Sequence, residues 1–159
     1  MTTAVDSIVL NVCQIECILF RLPVRRVFSC RLGRFEVQRH IVLRLHCREG
    51  VGLGEIPCLE FPSYTYETTE VAWEFLTKVY LPRVLELQPL SIKSKAAVDS
   101  NIYGYQLCKA ATESCIIDAA CRAARKPLGE MLERPQRAFV VANHFEGFAD
   151  SEEDIISHI

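Results

Sequence analysis

The sequence predicts an α+β domain: a three-stranded antiparallel β-meander followed by a three-helix bundle, then one more strand and the opening of a further helix. Three observations predict it. Residues 34–48 alternate cleanly, with Phe35, Val37, Ile41, Leu43, Leu45 and Cys47 on one face and Arg34, Glu36, Gln38, His40, Arg44 and His46 on the other. That is the pattern of an antiparallel strand with one dry and one wet face. Residues 107–125 are alanine-rich over a helical length, with small side chains where a neighbour can approach closely. Between these stretches Glu49-Gly50, Pro62, Pro82, Pro89, Gly104 and Pro127 punctuate the chain at the spacing of element ends.

The first strand is expected over residues 8–19, where Val9, Asn11, Cys13, Ile15, Cys17 and Leu19 share a face with one polar lapse at Asn11. Residues 21–33 read as an irregular basic loop carrying Phe28 and closing at Gly33. After the 34–48 strand, Glu49-Gly50 supplies a hairpin turn and residues 51–57 return as a third strand. His40 and His46, on the wet face, read as solvated surface histidines. Past Pro62 the period becomes helical. Ser63 or Thr65 can cap the first helix, Glu67 and Glu70 suit its positive end, and Val71, Phe75, Leu76, Val79 and Tyr80 form its apolar stripe. Pro82 kinks or closes it. Ser91 opens a second helix to about Asn101, and the third ends at Lys126-Pro127, because the residue before a proline avoids helical angles. Residues 139–142 read as a short buried strand, and Ser151 to Asp154 as a capping-box start for one more helix.

At 159 residues the chain can bury one sizeable core, and with half its residues apolar and 24% charged it reads as a soluble globular protein. A net charge of −2 without a block of like charge excludes a nucleic-acid or anionic-membrane partner as the expectation. The first 20 residues lack a positive leader, and Gln14 and Glu16 interrupt their apolar run, so neither a signal peptide nor a membrane span is expected. A reducing cytoplasm follows, and the eight cysteines, with no C-x-x-C pair and no zinc-type spacing, read as free thiols packed as small hydrophobes.

The order of GLGE at 52–55, FPSYTYET at 61–68 and KAATESCIIDAACRAARKPLGEML at 109–132 resembles the N-terminal capping domain of the enolase superfamily. Within it the resemblance is to the mandelate racemase/muconate lactonizing group, and to its o-succinylbenzoate synthase and N-acylamino acid racemase branch. It runs from Ile15 to Leu132, departing at Leu53, where the family usually has Trp, and at Glu133-Arg134, where it has Gly-Gly. It implies a capping domain over 1–132, with 133–159 starting a β/α barrel: 139–142 the first barrel strand, Ser151 onward its first helix. An eight-stranded barrel needs roughly 200 residues more, so the resemblance implies a truncated barrel.

The family's chemistry is Mg²⁺-assisted proton abstraction α to a carboxylate, by a K-x-K base and three Asp/Glu metal ligands on barrel strands. All of these would follow residue 159, so the resemblance implies neither catalytic nor metal-binding residues here, and no activity for the chain alone. Lys93-Ser94-Lys95 spells K-x-K, but on a predicted helix side chains two apart diverge by about 200° and read as a solvated face. By position the resemblance makes Phe28, Leu59 and Tyr64 substrate-pocket residues. His144 joins them because it follows the first barrel strand, at the end where barrels carry function. Lys109, Glu113 and Asp118 fall on the family's structural helix, Lys109 and Glu113 as an i,i+4 pair.

Two partners are implied: a barrel in cis or a homologous barrel in trans, and a small carboxylate substrate. A standalone binding or regulatory module, able to form a homo-oligomer through its former barrel face, is the competing reading. An unrelated α+β domain is the third.

Overall fold

The computed structural model describes residues 4–133 and 137–142. Three strands, β1 (Val12–Cys30), β2 (Gly33–Cys47) and β3 (Gly50–Ile56), form one antiparallel sheet in the order β1-β2-β3. Five helices follow: α1 (Thr69–Phe75), α2 (Leu81–Leu85), α3 (Ile92–Asp99), α4 (Gln106–Ala124) and the single turn α5 (Leu128–Met131). The alternation expected of β2 is present, with Ile41, Leu43 and Leu45 at 2% exposure or less. They meet Leu76, Tyr80, Val84, Cys115 and Ile116 in one continuous core.

What sets the thickness of this core is the contact of β3 with α4. A methyl group on Gly52 would overlap the Cys115 carbonyl oxygen and lie 2.7 Å from the Ala119 nitrogen. One on Gly54 would overlap the Ala111 carbonyl and lie 3.2 Å from the Cys115 Cβ. Alternate glycines on the strand thus meet Ala111, Cys115 and Ala119, one turn apart on the helix, and backbone touches backbone. The Cys115 thiol donates to the Gly52 carbonyl at 3.2 Å, and the Asp118 carboxylate accepts from the Leu53 N–H at 2.9 Å, fastening the strand edge to the same helix.

Several expectations are corrected. Residues 21–33 are not an irregular loop. Both strands continue through them as a two-stranded ribbon, disturbed between Pro23 and Phe28. An edge strand tolerates this, because the N–H that Pro lacks need not face a partner and arginines along the edge discourage further pairing. Asn11, read as a lapse in a strand, precedes β1 and donates its backbone N–H and its side-chain amide to Glu49 at 3.0 and 2.6 Å, clamping the β2–β3 turn. A one-residue irregularity between Val12 and Gln14 turns Cys13 to solvent, unlike Cys17. His40 and His46 are only partly exposed, each lying against a carboxylate. His40 Nδ1 lies 2.5 Å from Glu55 and its ring stacks on Phe20, while His46 Nε2 lies 3.4 Å from Glu16 without hydrogen-bond geometry.

The first helix is capped by Thr68, whose hydroxyl accepts from the Val71 N–H at 3.3 Å, and not by Ser63 or Thr65. Neither does Pro82 end it. The helix widens for one π turn over Leu76–Tyr80, with the Leu81 N–H reaching the Leu76 carbonyl, and resumes as α2. A proline cannot donate to the preceding turn and its ring crowds the carbonyl there, and a widened turn relieves both. The wider pitch also moves the buried stripe: Ala72, Phe75, Leu76 and Tyr80 face the core, while Val71 and Val79 stay exposed.

Glu67 does not serve its own helix. It is 3% exposed, and its carboxylate accepts from the N–H groups of Leu107 and Cys108, at 3.1 and 3.2 Å, in the first turn of α4. The residue before that helix, Tyr105, is left-handed and offers no side-chain cap. A buried anion at a helix N-terminus satisfies orphan donors and the helix dipole together. Glu67→Ala is expected to destabilise the chain by about 3 kcal/mol and Glu67→Gln by less, since an amide oxygen keeps one acceptor. Urea denaturation of both variants measures the difference.

Lys95 is likewise not on a solvated face. It is 1% exposed, with Nζ 2.5 Å from Asp99 and 3.3 Å from Glu113, while Lys93 is exposed, so the two lysines diverge as helical geometry requires. Lys109 makes no pair with Glu113; its Nζ donates to the carbonyls of Asp99 and Ile102 at 3.2 and 2.5 Å, where α3 ends. There it opposes the negative end of a helix dipole. Residues 139–142 form no strand, and Phe139, Val140 and Val141 are 78–86% exposed. A buried strand needs neighbours to accept its ladder bonds, and among the described residues none lies beside it. His144 and the helix expected from Ser151 fall outside the described residues.

Candidate functional site

The ribbon of β1 and β2 and the connection from β3 to α1 come together beyond the core. From Pro23 to Phe28 β1 advances five residues, while β2 advances two, from Val37 to Phe35, and the excess bulges outward before pairing resumes. Phe28 then stands directly across from Phe35, their ring centroids 6.3 Å apart. Phe35 in turn stacks on Phe61 of the β3–α1 connection at 6.0 Å with 23° between the planes. Arg39, on the same face of β2, reaches Glu60 at 3.8 Å and pairs with Glu70 at the start of α1. A hollow of about 480 Å³ lies here, lined by Leu19, Phe20, Arg21, Arg39 and Glu60.

The connection is held at both ends. The Leu59 carbonyl accepts from the Thr69 N–H at 3.0 Å. At the other end the Tyr66 hydroxyl accepts from the Tyr105 N–H at 2.7 Å, beside the Glu67 cap. Tyr66 and Tyr105 meet edge to face, and Tyr105 stacks on Phe75.

The expected site residues occupy different situations on this frame. Phe28 is half-buried in the aromatic contact. Leu59 is half-buried, with its carbonyl holding the loop closed. Tyr64, 85% exposed, projects between the two anchored ends. Sequence reasoning missed Phe35, Phe61 and Arg39, which join the ribbon to the connection. Phe35 was legible only as one more apolar residue of an alternating strand, and Phe61 as the Phe of a Phe-Pro pair.

A larger hollow, about 890 Å³, lies elsewhere, with Leu53, Ile117, Leu128 and Leu132 along it and Arg122 and Lys126 among its polar groups. It includes none of the expected site residues. Among the described residues no three His, Cys, Asp or Glu side chains converge to hold a metal ion. No helix among them is long and apolar enough to cross a membrane.

No protein-family model matches the chain. The o-succinylbenzoate synthase of Listeria innocua is 26% identical over 112 residues, covering 70% of this chain and 30% of that protein. A chloromuconate cycloisomerase of Cupriavidus pinatubonensis is 20% identical over 146 residues, covering 91% of this chain and 40% of that protein. Among solved structures, an enolase-superfamily member from Listeria innocua superposes with a TM-score of 0.80 at 22% identity, over 94% of this chain and 40% of that one. The muconate lactonizing enzyme of Pseudomonas fluorescens superposes with a TM-score of 0.70 at 21% identity, over 80% of this chain and 35% of that one. The chain thus spans 30–40% of the length of these curated relatives. Sheet order, helix order and these relatives agree on the fold: the chain is similar to the N-terminal domain of the mandelate racemase/muconate lactonizing group of the enolase superfamily.

Proposed function

We propose that the chain caps and shapes the substrate pocket of an enzyme of the o-succinylbenzoate synthase or N-acylamino acid racemase kind, and that alone it is inactive. The observation that carries this reading is the meeting of the ribbon tip with the β3–α1 connection through Phe28, Phe35 and Phe61, which presents Phe28 and Tyr64 at one end of the sheet. Leu59 belongs to the proposed pocket through the same connection, and His144 through the place it would take if residues 139–142 paired as a first barrel strand. The substrate is a small carboxylic acid. In such an enzyme a barrel, in cis or supplied in trans, carries the Mg²⁺ ligands and the bases for proton abstraction α to the carboxylate. The present residues contribute shape and the exclusion of water, which strengthens every electrostatic interaction beneath them. The apolar side chains of residues 139–141, 78–86% exposed, are surface that a first barrel strand would bury. Eight free thiols suit a reducing cytoplasm.

The test is a hybrid in which residues 1–132 replace the capping domain of the Listeria o-succinylbenzoate synthase. With Mg²⁺ and a succinylbenzoate precursor or an N-acylamino acid, the hybrid is expected to turn over and the chain alone is not. Turnover by the chain alone would overturn the reading, and so would a folded hybrid that binds Mg²⁺ and does nothing.

A further inference from the structure

We infer that Phe35 and Phe61 are positioning residues that clasp the ribbon tip to the β3–α1 connection, so that the two stretches move and are placed as one body. The inference rests on the capping reading and adds to it the residues that set where Phe28 and Tyr64 stand.

Between its anchored ends neither stretch is buried in the core. Beyond Pro23 and Val37 the ribbon is two strands wide, with Leu22, Val27 and Val37 exposed. A two-stranded ribbon is at best marginally stable in water. The connection between Leu59 and Tyr66 has no secondary structure of its own beyond bends. Among the described residues two kinds of tie run from the ribbon to the connection, the ring stack of Phe35 on Phe61 and the reach of Arg39 to Glu60, with Arg39 also paired to Glu70 just past the connection. The ion pair is loose at 3.8 Å, with the Glu60 side chain half exposed, so the solvent screens it and the ring contact dominates. Phe28 hangs on the clasp directly, through its cross-strand contact with Phe35. A side chain 33 positions away in sequence, Phe61, thereby decides the placement of Phe28 without itself having to touch a ligand.

Phe61 is 39% exposed, so its truncation is expected to leave the fold intact. Hydrogen exchange on the 159-residue chain tests the coupling. Phe61→Ala is expected to speed exchange of the amides of residues 28–35 about 3- to 10-fold, the range an aromatic pair supports. Phe35→Ala should do the same to residues 60–65, and the double variant should add little to either. Amides of residues 41–47 should stay as they were, and Phe61→Tyr should restore protection. If Phe61→Ala leaves residues 28–35 unchanged, the clasp is overturned. In the hybrid enzyme the expected signature is a raised KM with kcat held. Faster exchange with an unchanged KM would leave the clasp standing and count against the capping reading beneath it.

Discussion

Gly54→Ala is expected to destabilise the chain by about 3 kcal/mol, at the upper end of overpacking effects, and to lower its melting temperature by about 10 °C. A single methyl has this effect because the obstacle is backbone. The added carbon would overlap the Ala111 carbonyl oxygen and sit 3.0 Å from its carbon, atoms held by the hydrogen bonds of a 19-residue helix. No side-chain rotation relieves the overlap, so β3 must retreat from α4. Doing so strains the Cys115 thiol bond to the Gly52 carbonyl and the Asp118 bond to the Leu53 N–H. Gly52→Ala should be as damaging, since its methyl would meet Cys115 and Ala119 in the same way. Val51→Ala, on the exposed side of the same strand, is the control and should shift stability by no more than about 0.5 kcal/mol. Thermal denaturation of the three variants decides it, and a Gly54→Ala protein as stable as the parent would mean that β3 and α4 do not meet as described.

Alkali should unfold the chain more steeply than the titration of surface groups would. Burial pushes the Cys58 and Cys115 thiols up to about 12 and Cys17 and Cys47 to about 11, and pushes Cys108 up further. Glu67 adds to the rise at Cys58 and Cys108 by charge repulsion. In the unfolded chain these thiols titrate near 9.0. Above that pH the unfolded state has released protons that the folded state still holds, so stability falls as pH rises. It is undiminished below about 9 and is lost progressively toward the folded-state values. Each thiol in this window contributes a slope of about 1.4 kcal/mol per pH unit. The three most buried, Cys58, Cys108 and Cys115, together give about 4 kcal/mol per unit, which meets the stability of an ordinary domain within one to three units. Far-ultraviolet circular dichroism and thiolate absorbance should therefore change together between about pH 10 and 12, and Cys108→Ala should move the midpoint upward. Thiolates appearing well before the loss of secondary structure would contradict the burial.

What the sequence made legible was the part of the fold written in local pattern. The alternation of β2, the Ser91 cap of α3 and the small residues of α4 each follow from neighbours within a turn or two, and each is present. GLGE was visible as a motif, and its physical meaning became clear once β3 lay against Ala111 and Ala119. Illegible were the contacts that join distant residues. Glu67 looks like a first-turn acid of its own helix, and only the tertiary fold brings it to α4, forty residues on. Lys95 looks like half of a solvated pair, and nothing local says that Glu113 will be waiting for it. The ribbon read as loop because Pro23 and its arginines are poor strand formers, yet at a sheet edge they are tolerated. At the candidate site Phe28, Leu59 and Tyr64 were named by resemblance, while the clasp beside them depends on a cross-strand register that no spacing in the sequence reveals.

The span from Leu59 to Glu67 is moored at its two abutments, by the Thr69 bond at one and by Tyr66 and Glu67 against the start of α4 at the other. None of these moorings uses a side chain of residues 62–64, the part of the span that also lies outside the Phe61–Phe35 and Glu60–Arg39 ties. Evolution can therefore rewrite that arch, or lengthen it by a residue or two at small entropic cost, and alter what it leans over while its foundations stay as they are. Under the capping reading, a lineage needing a new specificity could find it there without first solving the folding problem again.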